Sequence, residues 1–140
     1  MKRKFGTIVA TRRLSLIGTK GKIVIVKIGK PRKLGGEEWA CPFFIDGLGV
    51  QKIVYGHGFD AIQALVMALE GIRTVLEKTG KRLSWADGEA GLTGFSRFVP
   101  IFYGLKFMKR VDRLIDREVR SFARAAERKH RREHRTKAEE

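Results

Sequence analysis

The sequence predicts an α+β fold: an antiparallel meander of about four strands, one amphipathic helix on one sheet face, and a long basic C-terminal helix. Three patterns carry this expectation. Alternating and β-branched runs between residues 5 and 55 are separated by short glycine-containing connections. Residues 60–78 repeat apolar side chains at helical spacing, and a second such stripe after Pro100 runs into a charged tail. Residues 1–100 therefore read as an α+β domain with a basic N-terminal hairpin. Residues 101–140 read as a helix, amphipathic at first and then highly charged.

The first strand is expected within residues 5–17, where Ile8, Ala10, Leu14 and Leu16 share a parity that Arg12 interrupts. Gly18-Thr19-Lys20-Gly21 supplies the turn, because glycine takes positive φ without cost. Ile23 to Val26 is a β-branched run, apolar on both faces, so a second strand covered on both sides is expected. Gly29 to Gly36, with Pro31 inside, reads as a loop. Trp39, Cys41, Phe43 and Ile45 alternate on one face of a third strand, with Ala40 and Phe44 on the other, and Pro42 favours an edge position or a bulge. Gln51 to Tyr55 reads as a fourth strand, and the short connections make the set antiparallel.

In the helix over 60–78, Ile62, Leu65, Val66, Leu69, Ile72, Val75 and Leu76 form the expected buried face. Asp60 is the N-cap, Gln63 its partner in a capping box, and Gly80 the stop. Leu83-Ser84-Trp85 can add a short strand. After Pro100, Ile101, Leu105, Met108, Val111, Ile115, Val119 and Phe122 trace a second apolar stripe. A helix from 101 to 135 would be about 50 Å long. Strands of about 17–23 Å cannot cover that length. Residues 101–122 are therefore expected to pack, on the second sheet face, and the last turns to project.

Trp39-Ala40-Cys41-Pro42-Phe43-Phe44-Ile45-Asp46-Gly47-Leu48 is followed by Gly58-Phe59-Asp60-Ala61-Ile62-Gln63-Ala64-Leu65 and Ala68-Leu69. The combination resembles a family of small bacterial proteins of unknown function. Its members carry W-x-C-P-(F/Y)-x-I-x-G-L, then G-x-D-x-x-Q-A-L-x-x-A-L, then a Trp and a Gly-Phe that Trp85 and Gly94-Phe95 match. The resemblance spans roughly residues 8–100. It implies an α+β fold and bacterial origin, and no activity. The basic hairpin and the helix after Pro100 depart from that pattern.

Charge is segregated along the chain. The first 33 residues hold eleven lysines and arginines and no acidic residue, 34–105 hold six basic and eight acidic, and 106–140 hold thirteen basic and seven acidic. The net charge of +15 thus sits at the two ends. This calls for a polyanionic partner. Nucleic acid or ribonucleoprotein is the first expectation. The contacts expected are Lys20 and Lys22 in the hairpin, Lys30, Arg32 and Lys33 on the 29–36 loop, and Arg113, Arg117, Arg120, Arg124, Arg128 and Arg131 along the last helix. An immunity or adaptor module engaging an acidic protein is the second expectation. Peripheral membrane association through residues 98–110 is the third.

No enzyme is expected. Cys41 sits among apolar neighbours that do nothing to activate a thiol. His57 reads as part of a helix-capping turn. His130 and His134 are four apart but surrounded by cations, so neither metal nor cofactor is expected. One cysteine, no uninterrupted apolar run of the roughly 7–15 residues a secretory signal needs, and no membrane span point to a cytoplasmic protein.

Overall fold

The structure, a computed structural model, describes residues 5–49 and 51–139. Lys2, Arg3, Lys4 and Glu140, which enter the charge counts above, lie outside the described residues. The chain forms two compact units, Met1–Phe98 and Val99–Glu140.

The first unit contains β1 (Ile8–Leu16), β2 (Ile23–Gly29), β3 (Arg32–Gly35), β4 (Glu38–Asp46), β5 (Val54–Gly58), α1 (Ala61–Lys78) and β6 (Leu83–Trp85). All pairings are antiparallel, in the order β3-β4-β2-β1-β6, with β5 on β4. The expected antiparallel sheet with one helix is present, enlarged to six strands. β6 is the short strand expected at Leu83-Ser84-Trp85.

The segment expected as a loop over 29–36 is mostly strand. β3 follows β2 along the same edge of β4, and the register steps from Ile28↔Phe43 to Arg32↔Ala40. The step falls opposite Pro42, whose nitrogen has no hydrogen to donate to a ladder. Pro42 is therefore tolerated in a strand paired on both edges because the neighbouring strand is bulged there. Inside the break, the Cys41 thiol donates to the Gly29 carbonyl at 3.4 Å.

α1 covers one sheet face. Leu14, Val24, Val26, Ile28, Cys41, Phe43, Ile45 and Leu83 meet Ala64, Ala68, Ile72 and Leu76 in one core. Its closest approach is at β5. A methyl group on Gly56 would lie 2.2 Å from the Ala68 nitrogen, and one on Gly58 2.5 Å from that of Ala64. These glycines extend β5 through His57, where the sequence suggested a turn, so that the helix can rest on bare backbone. The buried line of α1 is Ala64-Ala68-Ile72-Leu76, with the two alanines at the end that rests on β5. Ile62, expected inside, is 75% exposed. At the N-terminus the Gln63 amide donates to Asp60 Oδ1 at 2.7 Å, and the Phe59 amide donates to Gln63 Oε1 at 2.7 Å. Gln63 thus reaches one residue further back than the expected box.

Arg12 does not interrupt the core face idly. Its guanidinium lies 3.9 Å from the Trp85 ring centre and 4.7 Å from that of Phe95, and donates to the Thr93 carbonyl at 3.3 Å. Gly94 has φ +77°, and a methyl group there would fall 2.6 Å from both Arg12 and Trp85. Trp85, Gly94 and Phe95 therefore form a clamp on this arginine.

The second unit contains α2 (Gly104–Glu139), 36 residues without proline and with no glycine after its first position. None of its residues is buried. The burial expected for 101–122 is not found.

Candidate nucleic-acid interface

α2 is rich in Arg, Lys, Glu and Ala, which lose little side-chain freedom in a helix, and Lys137 in its last turn suits the negative end of the helix dipole. At about 100° per residue, Lys106, Arg110, Arg113, Arg117, Arg120, Arg124, Arg128, Arg131 and Arg135 fall within about 80° of arc. All nine are exposed. Leu105, Met108, Val111, Ile115, Val119 and Phe122 are centred on the opposite side. A row of positive charge thus runs about 43 Å along one side of the helix. Arg117, Arg120, Ser121, Arg124 and Arg128 outline a shallow hollow of about 360 Å³ within it.

The arginines of this row are one another's neighbours at i+3 and i+4. Each such like-charged pair destabilises a helix by about 0.2–0.5 kcal/mol. The carboxylates of this helix leave most of them unneutralised. Asp112, Asp116 and Glu118 form no ion pair with Arg113, Arg117 or Arg120, whereas Arg135 meets Glu139 at 3.4 Å. Adjacent residues such as Asp112 and Arg113, or Asp116 and Arg117, project about 100° apart, and Asp116, at helical spacing from Arg113 and Arg120, pairs with neither. Six of the expected contacts, Arg113, Arg117, Arg120, Arg124, Arg128 and Arg131, are therefore brought together.

The five in the first unit are not. Lys20 and Lys22 are exposed at the β1–β2 turn, where the Leu16 amide donates to the Lys22 carbonyl at 3.0 Å. Lys30 is exposed in the break between β2 and β3, at the far end of β2 from that turn. Arg32 and Lys33 are successive strand residues and so face opposite sides of the sheet. The expected flexible phosphate-gripping loop is replaced by strand.

The remaining chemistry is quiet. Burial pushes the Cys41 thiol up to about 11, so it stays protonated and packs as an apolar residue. His57 Nδ1 lies 3.5 Å from Glu38 Oε1, on an exposed stretch of β5. The His130 and His134 rings meet edge to face at 4.3 Å. Among the described residues no group of three His, Cys, Asp or Glu could hold a metal ion, and no helix is long and apolar enough to cross a membrane. The strongest ion pairing lies on α1. Arg73 binds Glu70 and, at 2.8 Å, Glu77. The Arg73 hydrogen bond holds the Glu70 carboxyl below the usual range against the opposing effect of burial, and the Phe98 amide at 3.4 Å adds to it.

The chain belongs to the family described as Domain of unknown function (DUF6968), which matches residues 10–97. The match takes in the sheet, α1 and the Arg12 clamp, and stops before α2. No curated protein and no solved structure matches the chain.

Proposed function

We propose that this protein is a non-enzymatic binding protein that docks on a polyanion, nucleic acid or ribonucleoprotein, through the arginine row of α2. The observation that carries the reading is the alignment of nine exposed cations on one side of a helix whose acidic residues leave most of them unpaired. Such a row stores repulsion that a phosphate backbone relieves, and each phosphate neutralised releases bound counterions. Guanidinium groups grip phosphate oxygens without reading bases, so affinity with little sequence preference is expected. Lys20 and Lys22 add a second, smaller cationic point.

The test is equilibrium binding of duplex and single-stranded oligonucleotides across a salt series. A logarithmic affinity that falls linearly with logarithmic salt, similarly for unrelated sequences, supports the reading. Affinity unchanged by salt overturns it. Capture from cells with and without nuclease separates nucleic acid from an acidic protein partner.

A second reading, attachment at a membrane surface, draws on exposed Ile101, Phe102, Tyr103 and Leu105, of which Phe102 is 86% exposed. The arginine row centres on the side away from the apolar stripe, and Asp112 and Asp116 border that stripe, which favours the first reading. Co-sedimentation with anionic vesicles, lost in Phe102→Ser with Phe107→Ser, is the result that would reverse the preference.

A further inference from the structure

α2 carries an apolar seam that stays exposed. Leu105, Met108, Asp112, Ile115, Val119, Phe122 and Ala126 follow one another at alternating intervals of three and four residues. Such a series, apolar here except at Asp112, marks a helix that winds against another helix. Its period of 3.5 residues keeps one seam turned toward the partner along the whole contact. Met108 is half-buried, and Leu105, Ile115, Val119 and Phe122 are each between 49% and 74% exposed. Two such seams laid together would remove roughly 1,200 Å² from water, the lower end of what stable interfaces bury.

The charges beside the seam make it complementary to itself in one direction. One border carries Lys109 and Asp116, and the other carries Val111 and Glu118. In an antiparallel pair each border meets the same border of the second copy. With Leu105 across from Phe122 and Met108 across from Val119, Lys109 of each copy lies beside Asp116 of the other. Asp112 then faces Ile115, and the seam is weakened at that layer alone. In a parallel pair every seam residue meets its own copy. Two Asp112 carboxylates would face each other, and the cationic stretches after Ala126 would run side by side. Both contacts repel.

We propose that α2 pairs with α2 of a second copy as an antiparallel two-helix coil. The arginine row lies on the side away from the seam, so it remains open on each helix of the pair. The pairing itself stands apart from the nucleic-acid reading. Its consequence, two phosphate-binding rows on one dimer, rests on that reading.

Sedimentation equilibrium of the full chain, across concentration and salt, reads the pairing. Each copy carries a net charge of +15, so association should tighten as salt screens the repulsion, whereas phosphate binding weakens. Asp112→Leu removes the interrupting carboxylate and is expected to tighten pairing by about tenfold or more. Ile115→Ser with Phe122→Ser is expected to weaken it by a similar factor. Direction is read by mixing a Lys109→Cys chain with an Asp116→Cys chain and adding a short bismaleimide. One chain of each kind should be joined, while Cys41, buried and protonated, stays unreacted. A dimer without that cross-link overturns the antiparallel arrangement. A wild-type chain that stays monomeric at about 0.1 mM overturns the pairing, and leaves salt-dependent oligonucleotide binding by a single row intact. A monomer that binds phosphatidylserine vesicles, and loses them in Ile115→Ser with Phe122→Ser, gives the seam to a lipid surface and overturns the pairing too.

Discussion

The two units handle positive charge in opposite ways. In the first, two arginines are absorbed into structure: Arg12 lies between Trp85 and Phe95, and Arg73 holds Glu70 and Glu77. In α2 the arginines, Arg135 with its Glu139 partner apart, face one another and solvent. An arginine whose neighbours supply rings or carboxylates acts as a packing residue. One whose neighbours are further arginines finds no partner among them and stays open to an anion from outside. Net charge alone could not make that distinction.

Substitutions sharpen the contrast, beginning with the largest expected effect. Gly56→Ala places a methyl group against the α1 backbone at 2.2 Å, and neither backbone can yield. The loss expected is at or above the upper end of about 1–3 kcal/mol for overpacking, read by urea unfolding. In α2 of the dilute, monomeric chain, Ile115→Ser and Val119→Ser should each stay within about 0.5 kcal/mol, as for surface sites. A large loss there would mean that the chain itself covers the apolar stripe and would break the comparison. Arg12→Gln removes the charge held between two rings, and about 1–2 kcal/mol is expected from the cation–π interactions.

The smallest expected effect concerns acid. The folded Glu70 carboxyl titrates below its unfolded value, so its contribution to stability is complete above about pH 4.3, the ordinary range for glutamate. That contribution is lost as pH falls through the lowered folded value. Glu70→Gln should therefore lower stability at neutral pH and flatten the acid limb of an unfolding titration. A wild-type acid limb that Glu70→Gln does not change would contradict the assignment.

Much of the first unit was legible because period and parity are local properties. The Trp39-Cys41-Phe43-Ile45 alternation, the Asp60 cap and the short 83–85 strand all needed only neighbouring residues. What remained hidden depended on distant partners. Gly56 and Gly58 read as a turn because nothing nearby announces a helix resting on them. Arg12 read as an interruption because its rings lie more than 70 residues away. The arginine row of α2 was legible as spacing. Its lack of carboxylate partners was not, because Asp116 stands at helical spacing from Arg113 and Arg120 and yet pairs with neither. Phe44 was placed correctly on the second parity of its strand, but whether that face would be covered lay beyond any local pattern.

The most direct test of the account compares salt dependence between the wild type and a variant carrying Arg113→Gln, Arg117→Gln, Arg120→Gln and Arg124→Gln. On duplex DNA each phosphate contact contributes about 0.9 to the slope of logarithmic affinity against logarithmic salt. The slope of the variant should be shallower by about 3–4, with its thermal unfolding unchanged. Equal slopes for the two proteins would show that the row does not touch phosphate.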